Sequence, residues 1–155
     1  MIEEPKRPRI AGDELIVETQ GTAEVYDAKY LVAALLVFVA KGDGQISGSE
    51  TAEMLRLFND HFGLQSAESL GLITNAMEDI TGNPDFENLI RELSVLVNVP
   101  EKEEIALMML KVAAADGRKN AEELEKVRLA AELISTSAET LHRAYDRYFS
   151  ETMTD

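Results

Sequence analysis

The chain has 155 residues, 45% hydrophobic and 28% charged, which suits one folded domain rather than a disordered segment or two full domains. With 29 acidic residues against 15 basic ones the net charge is −14, so phosphate backbones and anionic headgroups are repelled, and cations or basic protein partners are favoured. Cysteine is absent; that excludes disulfides, thiolate zinc sites and cysteine nucleophiles, and it fits a cytoplasmic location.

Residues 1–22 carry two prolines, two glycines and mixed charge around a short apolar patch at Leu15 to Val17. They read as a tail or loosely packed arm, with residues 23–155 as the domain. The opening MIEEPKRPRI has no apolar core behind its charges and is no secretory signal. Three basic residues (Lys6, Arg7, Arg9) fall in this arm, leaving the body still more acidic.

From there every segment reads helical. EVYDAKYLVAALLVFVAK predicts a long helix, apolar on nearly every face in its second half, which places it at the centre of a bundle. Its apolar run, Tyr30 to Ala40, is 11 residues, against the roughly 20 a bilayer needs. Met54, Leu55, Leu57, Phe58, His61 and Phe62 form the stripe of a second helix, ended by Gly63. That stripe places His61 at a buried or boundary position, while His142 reads as a surface residue.

A third helix starts with Ser66 as its N-cap and points Leu70, Ile73, Met77 and Ile80 inward; TGNPD breaks it. Phe86, Leu89, Ile90, Leu93 and Val97 mark a fourth, which stops before Pro100. The fifth opens with Pro100 and the acids Glu103 and Glu104, a solvated helix start, and then turns apolar all round, with Met108 and Met109 as core. The sixth runs from Asn120 with Leu124, Val127, Ala131 and Ile134 on one face. The seventh runs from Ser137 with Leu141, Ala144, Tyr145, Tyr148 and Phe149. The expected fold is all-α, about seven helices in one bundle.

An internal repeat organises these helices. VAKGDGQISGSE (Val39 to Glu50) matches VAAADGRKNAEE (Val112 to Glu123) at an offset of 73, and QSAESL (Gln65 to Leu70) echoes TSAETL (Thr136 to Leu141) at 71. A helix–DG loop–helix–turn–helix unit therefore occurs twice, which predicts pseudo-two-fold symmetry around two central apolar helices.

The first DG loop looks like half an EF-hand. With Gly44 at position 6, Asp43 falls at 5, Ser47 at 9 and Glu50 at 12. Positions 1 and 3 are then Val39 and Lys41, which cannot be carboxylate ligands, so no EF-hand forms. Helix chemistry accounts for the likeness. Gly42, Gly44 and Gly117 end one helix, while Ser47 with Glu50, and Asn120 with Glu123, are capping boxes that start the next.

Asp43 and Asp116 are open to two readings. An Asp before Gly caps its own turn. Alternatively Asp43 with Glu50, and Asp116 with Glu123, hold a hard divalent cation, Ca2+, Mg2+ or Mn2+, as oxygen-only ligands select. Two carboxylates per loop make such binding weak, extra acids such as Glu53 and Glu122 would have to help, and Lys41, Arg118 and Lys119 oppose it. No nucleophile triad, paired histidine motif or phosphate loop is present; the chain is expected to be no enzyme and to carry no cofactor beyond such a cation.

The two motifs, AKGDGQISGSE and AAADGRKNAEE, resemble the tellurite-resistance TerB-like family, including the N-terminal region of the DjlA co-chaperone, over residues near 24 to 150. The resemblance implies an all-helical bacterial cytoplasmic protein whose clustered acids form a metal site and which takes part in stress responses to metal oxyanions. Direct tellurite chemistry is disfavoured by the acidic surface and the missing thiols. Two functions stand side by side: a cation-responsive module working through the DG loops, and a protein-interaction scaffold docking a basic partner, with the loops purely structural.

Overall fold

The computed structural model describes residues 9–11, 14–19, 22–41, 46–82, 84–115 and 121–153. From Ala28 onward the described chain is an all-α bundle of seven helices. They are α1 (Ala28–Ala40), α2 (Gly48–Phe62), α3 (Ser66–Gly82), α4 (Phe86–Leu93), α5 (Val99–Ala113), α6 (Ala121–Leu133) and α7 (Ala138–Met153). A 3-10 turn at Ser94–Leu96 joins α4 to α5.

Ahead of the bundle the expected loose arm is a three-stranded antiparallel sheet, β1 (Arg9–Ala11), β2 (Glu14–Thr19) and β3 (Thr22–Asp27), in that order. The register pairs Ala11 with Glu14, and Thr19 with Thr22. Two residues separate each pair in sequence, Gly12-Asp13 and Gln20-Gly21, which is hairpin spacing with Gly present. Leu15-Ile16-Val17 and Val25-Tyr26 are strand-favouring types. Strand β3 packs against α1.

The sheet also moves the start of the first helix. Expected from Glu24, it begins at Ala28, because the Asp27 side chain accepts a hydrogen bond from Tyr30 N at 3.0 Å and caps it. The helix beyond is buried on all sides, with only Phe38 half-exposed between Tyr30 and Ala40. Tyr30 OH donates to Asp79 of α3, satisfying its one polar atom.

Some helix contacts correspond between the two repeat units, while α2 packs on α3 with no comparable packing of α6 on α7 among the described residues. The central helices α1 and α5 lie against each other, α1 packs chiefly on α3, and α5 packs chiefly on α7. Each central helix also meets the second helix of the other unit, α1 with α6 and α5 with α2. Equivalent positions share burial: Leu36 with Met109, Met54 with Val127, and the polar pair Ser69 with Thr140.

Helix ends show where the sequence reading holds and where it shifts. Gly63 closes α2 in the left-handed region at φ 67, as expected. Ser66, expected as N-cap, is the first helical residue of α3, and the Gln65 carbonyl already accepts from Ser69 N at 3.0 Å. The inward face of α3 is rotated as well. Ser69, Ile73 and Ala76 are buried, whereas Leu70 is 45% exposed and Met77 37%. Small side chains at 69 and 76 let α3 approach α1 closely, so interhelical fit overrides the larger apolar residues. Asn98 and Glu101 form a second capping box, which starts α5 one residue before Pro100. Ser137 caps α7, its hydroxyl accepting from Thr140 N at 3.1 Å.

At the end of α6, Ser135 takes a positive φ of 57, the one non-glycine residue to do so among the described residues. Thr136 N donates to Ala131 O at 2.8 Å and Ser135 N to Glu132 O at 3.0 Å, the bonding of a Schellman cap. The left-handed region costs an L-residue about 1–2 kcal/mol relative to its usual basins. Ser135→Gly is therefore expected to stabilise the fold by about 1 kcal/mol, read as a higher midpoint in urea unfolding; an unchanged or lower midpoint would place the cost elsewhere.

Glu103 and Glu104, expected as solvated acids, face α7 instead. Arg143 Nε donates to Glu103 at 2.8 Å, Arg147 Nη1 to Glu103 at 3.0 Å, and Arg147 pairs with Glu104 at 2.7 Å. Hydrogen bonds from Arg143 and then Arg147 hold the Glu103 carboxyl below its ordinary range. A carboxylate with a depressed folded pKa contributes stability above its unfolded value, about 4.3, and loses it as pH falls through the lower folded value. Glu103→Gln is therefore expected to melt below the parent at neutral pH and to converge with it only as pH falls through the lowered Glu103 range, in parallel thermal scans.

Candidate functional site

A helix begins shortly after each DG motif, α2 at Gly48 and α6 at Ala121, and Ser47 and Glu50 build the start of α2. Ser47 N donates to Glu50 Oε1 at 2.9 Å, and Glu50 N donates to Ser47 Oγ at 3.1 Å. This is the predicted capping box, and it satisfies two amide donors that the helix start leaves without partners. Thr51 adds N–H and hydroxyl bonds to the Ser47 carbonyl. Ser47→Ala is expected to cost about 1 kcal/mol, read from the unfolding midpoint; an unaltered midpoint would mean that the turn holds without its cap.

Burial of the glutamate was not legible in the sequence. Glu50 is 1% exposed, and its second oxygen, Oε2, has no hydrogen-bond partner among the described residues. Carboxylates are seldom fully buried unless paired, and an unpaired buried oxygen carries the whole cost of leaving water. Glu123, its counterpart in the second unit, is 0% exposed. The fold thus places one buried glutamate in the first turn after each DG motif. Asp43 and Asp116, the other two expected ligands, lie outside the described residues, as do Arg118, Lys119 and Asn120.

The remaining candidates do not assemble around these glutamates. Glu53, expected as a helper, is forked by Arg56 on the surface of α2. Glu122 is exposed at the start of α6. Among the described residues, no group of three or more histidine or acidic side chains converges as a metal-ligand set. His61 is exposed rather than buried or at the boundary, with its ring edge-on to Phe62 at 4.8 Å between centroids. His142 is exposed, 3.5 Å from Asp146. The methionines at 108 and 109 are core, as expected.

The donor chemistry at Glu50 still fits a hard cation. One oxygen holds the helix start, and the other is a buried acceptor with no partner among the described residues; Asp43 stands seven positions earlier in the sequence. A cation there would meet the buried charge and remove the cost of leaving it unpaired.

Residues 29–146 match the family model of tellurite resistance protein TerB. No curated protein and no solved structure matches the chain. Among the described residues, no helix is long and apolar enough to cross a membrane.

Proposed function

Because the chain belongs to the TerB family, we propose that it is a non-enzymatic, cation-responsive module of the tellurite-resistance type. In this reading each DG loop and the helix after it hold a hard divalent cation: Asp43 with Glu50 in the first unit, Asp116 with Glu123 in the second. The observation that carries it is the buried Glu50 Oε2 with no partner among the described residues. Oxygen-only donors favour Ca2+, Mg2+ or Mn2+, and the small carboxylate count keeps affinity low. The net charge of −14 concentrates cations near the surface and repels oxyanions. With no thiol in the chain to reduce tellurite, the contribution to resistance is indirect.

Binding should appear as a rise in melting temperature with millimolar Ca2+ or Mg2+ at constant ionic strength, since NaCl alone screens the acidic surface. Glu50→Gln combined with Glu123→Gln, and separately the double variant Asp43→Asn with Asp116→Asn, should each remove most of that rise. If both respond like the parent, the loops are not cation sites.

A second reading makes the module a scaffold for a basic protein partner, with the loops serving only as turns. The complete capping box favours it, since Ser47 and one oxygen of Glu50 are already accounted for by starting α2. Under that reading divalent and monovalent salts at equal ionic strength raise the melting temperature alike.

A further inference from the structure

A cleft outside the two DG motifs has a chemistry of its own. Its floor is apolar: Val32 of α1, Ile105 of α5 and Val97 of the α4–α5 connection, with Phe62 at the end of α2 as a wall. Its rim is acidic, formed by Glu101, Glu103 and Glu104 on the first turns of α5, with His61 opposite. The volume is about 230 Å³, below the roughly 300–1,000 Å³ of small-molecule sites. That space suits one or two inserted side chains rather than a whole cofactor.

The segment that contributes Val97 also exposes apolar side chains. Val95 and Val99, two residues either side of the cleft residue Val97, are 63% and 55% exposed, the highest values of any large apolar side chain among the described residues. The rim charge is only partly neutralised: Glu103 and Glu104 pair with Arg143 and Arg147, whereas Glu101 uses one oxygen to accept from Asn98 N and makes no ion pair among the described residues. Those arginines also keep Glu103 ionised.

We propose that this cleft docks a protein partner through a short segment that inserts an apolar side chain between α1, α2 and α5 and sets lysine or arginine against the Glu101–Glu104 rim. Charge decides the occupant. A second copy of the chain would bring another −14 to an already acidic face and be repelled, whereas a basic segment is attracted. The proposal is independent of cation binding at the loops, and its test leaves them untouched.

The test is an amide NMR titration of the full chain with the peptide acetyl-Lys-Leu-Arg-Leu-Lys-amide at fixed ionic strength. Saturable shifts are expected at residues 32, 61, 62, 97 and 105, and acetyl-Glu-Leu-Glu-Leu-Glu-amide should produce none. Glu104→Lys should weaken binding about tenfold. Glu87→Lys, the same charge change on the exposed face of α4, should leave it unaltered; thermal melts check that both variants are folded. Shifts that never saturate and spread over every acidic helix would overturn the proposal. Equal weakening by the two variants would also overturn it, since the net charge alone would then attract the peptide.

Discussion

Phe58→Ala is expected to destabilise the protein by about 3–5 kcal/mol, the cost of truncating a fully enclosed aromatic side chain. Phe58 is 0% exposed, and its ring stacks with Phe62 at 6.2 Å between centroids. It sits on α2, which reaches both central helices. Its counterpart in the second unit, at the offset of 73, is the much smaller Ala131, also buried. The two halves therefore fill equivalent positions with different volumes, and the first half depends on one large ring. Urea unfolding of the variant against the parent checks this; a loss under 1 kcal/mol would mean that the site collapses around the gap.

The second large effect concerns the centre of the bundle. Leu36→Ala and Met109→Ala should each cost about 2–5 kcal/mol. These residues are repeat equivalents, both 0% exposed, on α1 and α5 respectively. If the two helices are equally central, the losses should agree within about 1.5 kcal/mol, the tolerance of similar-volume core swaps. A severe loss at Leu36 beside a mild one at Met109 would show that α1 alone organises the core.

Much of the helical body was legible because its signals are local. The stripe from Met54 to Phe62, the stop at Gly63, the S-x-x-E start at Ser47 and the break after Thr81 depend on neighbours in sequence. The N-terminal sheet was missed although its signal was present: Gly12-Asp13 and Gln20-Gly21 punctuate three short segments at hairpin spacing. Each segment is too short for sustained alternation to stand out. Asn98 with Glu101 was passed over because Pro100 drew the helix start forward.

At the candidate site, residue identities were legible and their environments were not. The sequence named Glu50 and Glu123 as a cap and as ligands, but it carried no sign that both would be enclosed. Burial of a polar side chain depends on which distant helices close over it, and no local pattern encodes that. The same holds for Glu103, which the sequence leaves in solvent and the fold sets against Arg143 and Arg147, 40 and 44 residues away.

Periodicity, caps and the repeat thus established in the chain alone an all-α body with two apolar central helices, because backbone hydrogen bonding and amphipathic spacing act over a few residues. Tertiary packing alone decided the inward face of α3, the burial of Glu50 and Glu123, and the acid-rimmed cleft between α1, α2 and α5. Those features are set by the fit of side chains from remote segments, where a small serine or alanine at a crossing outweighs a larger leucine or methionine beside it.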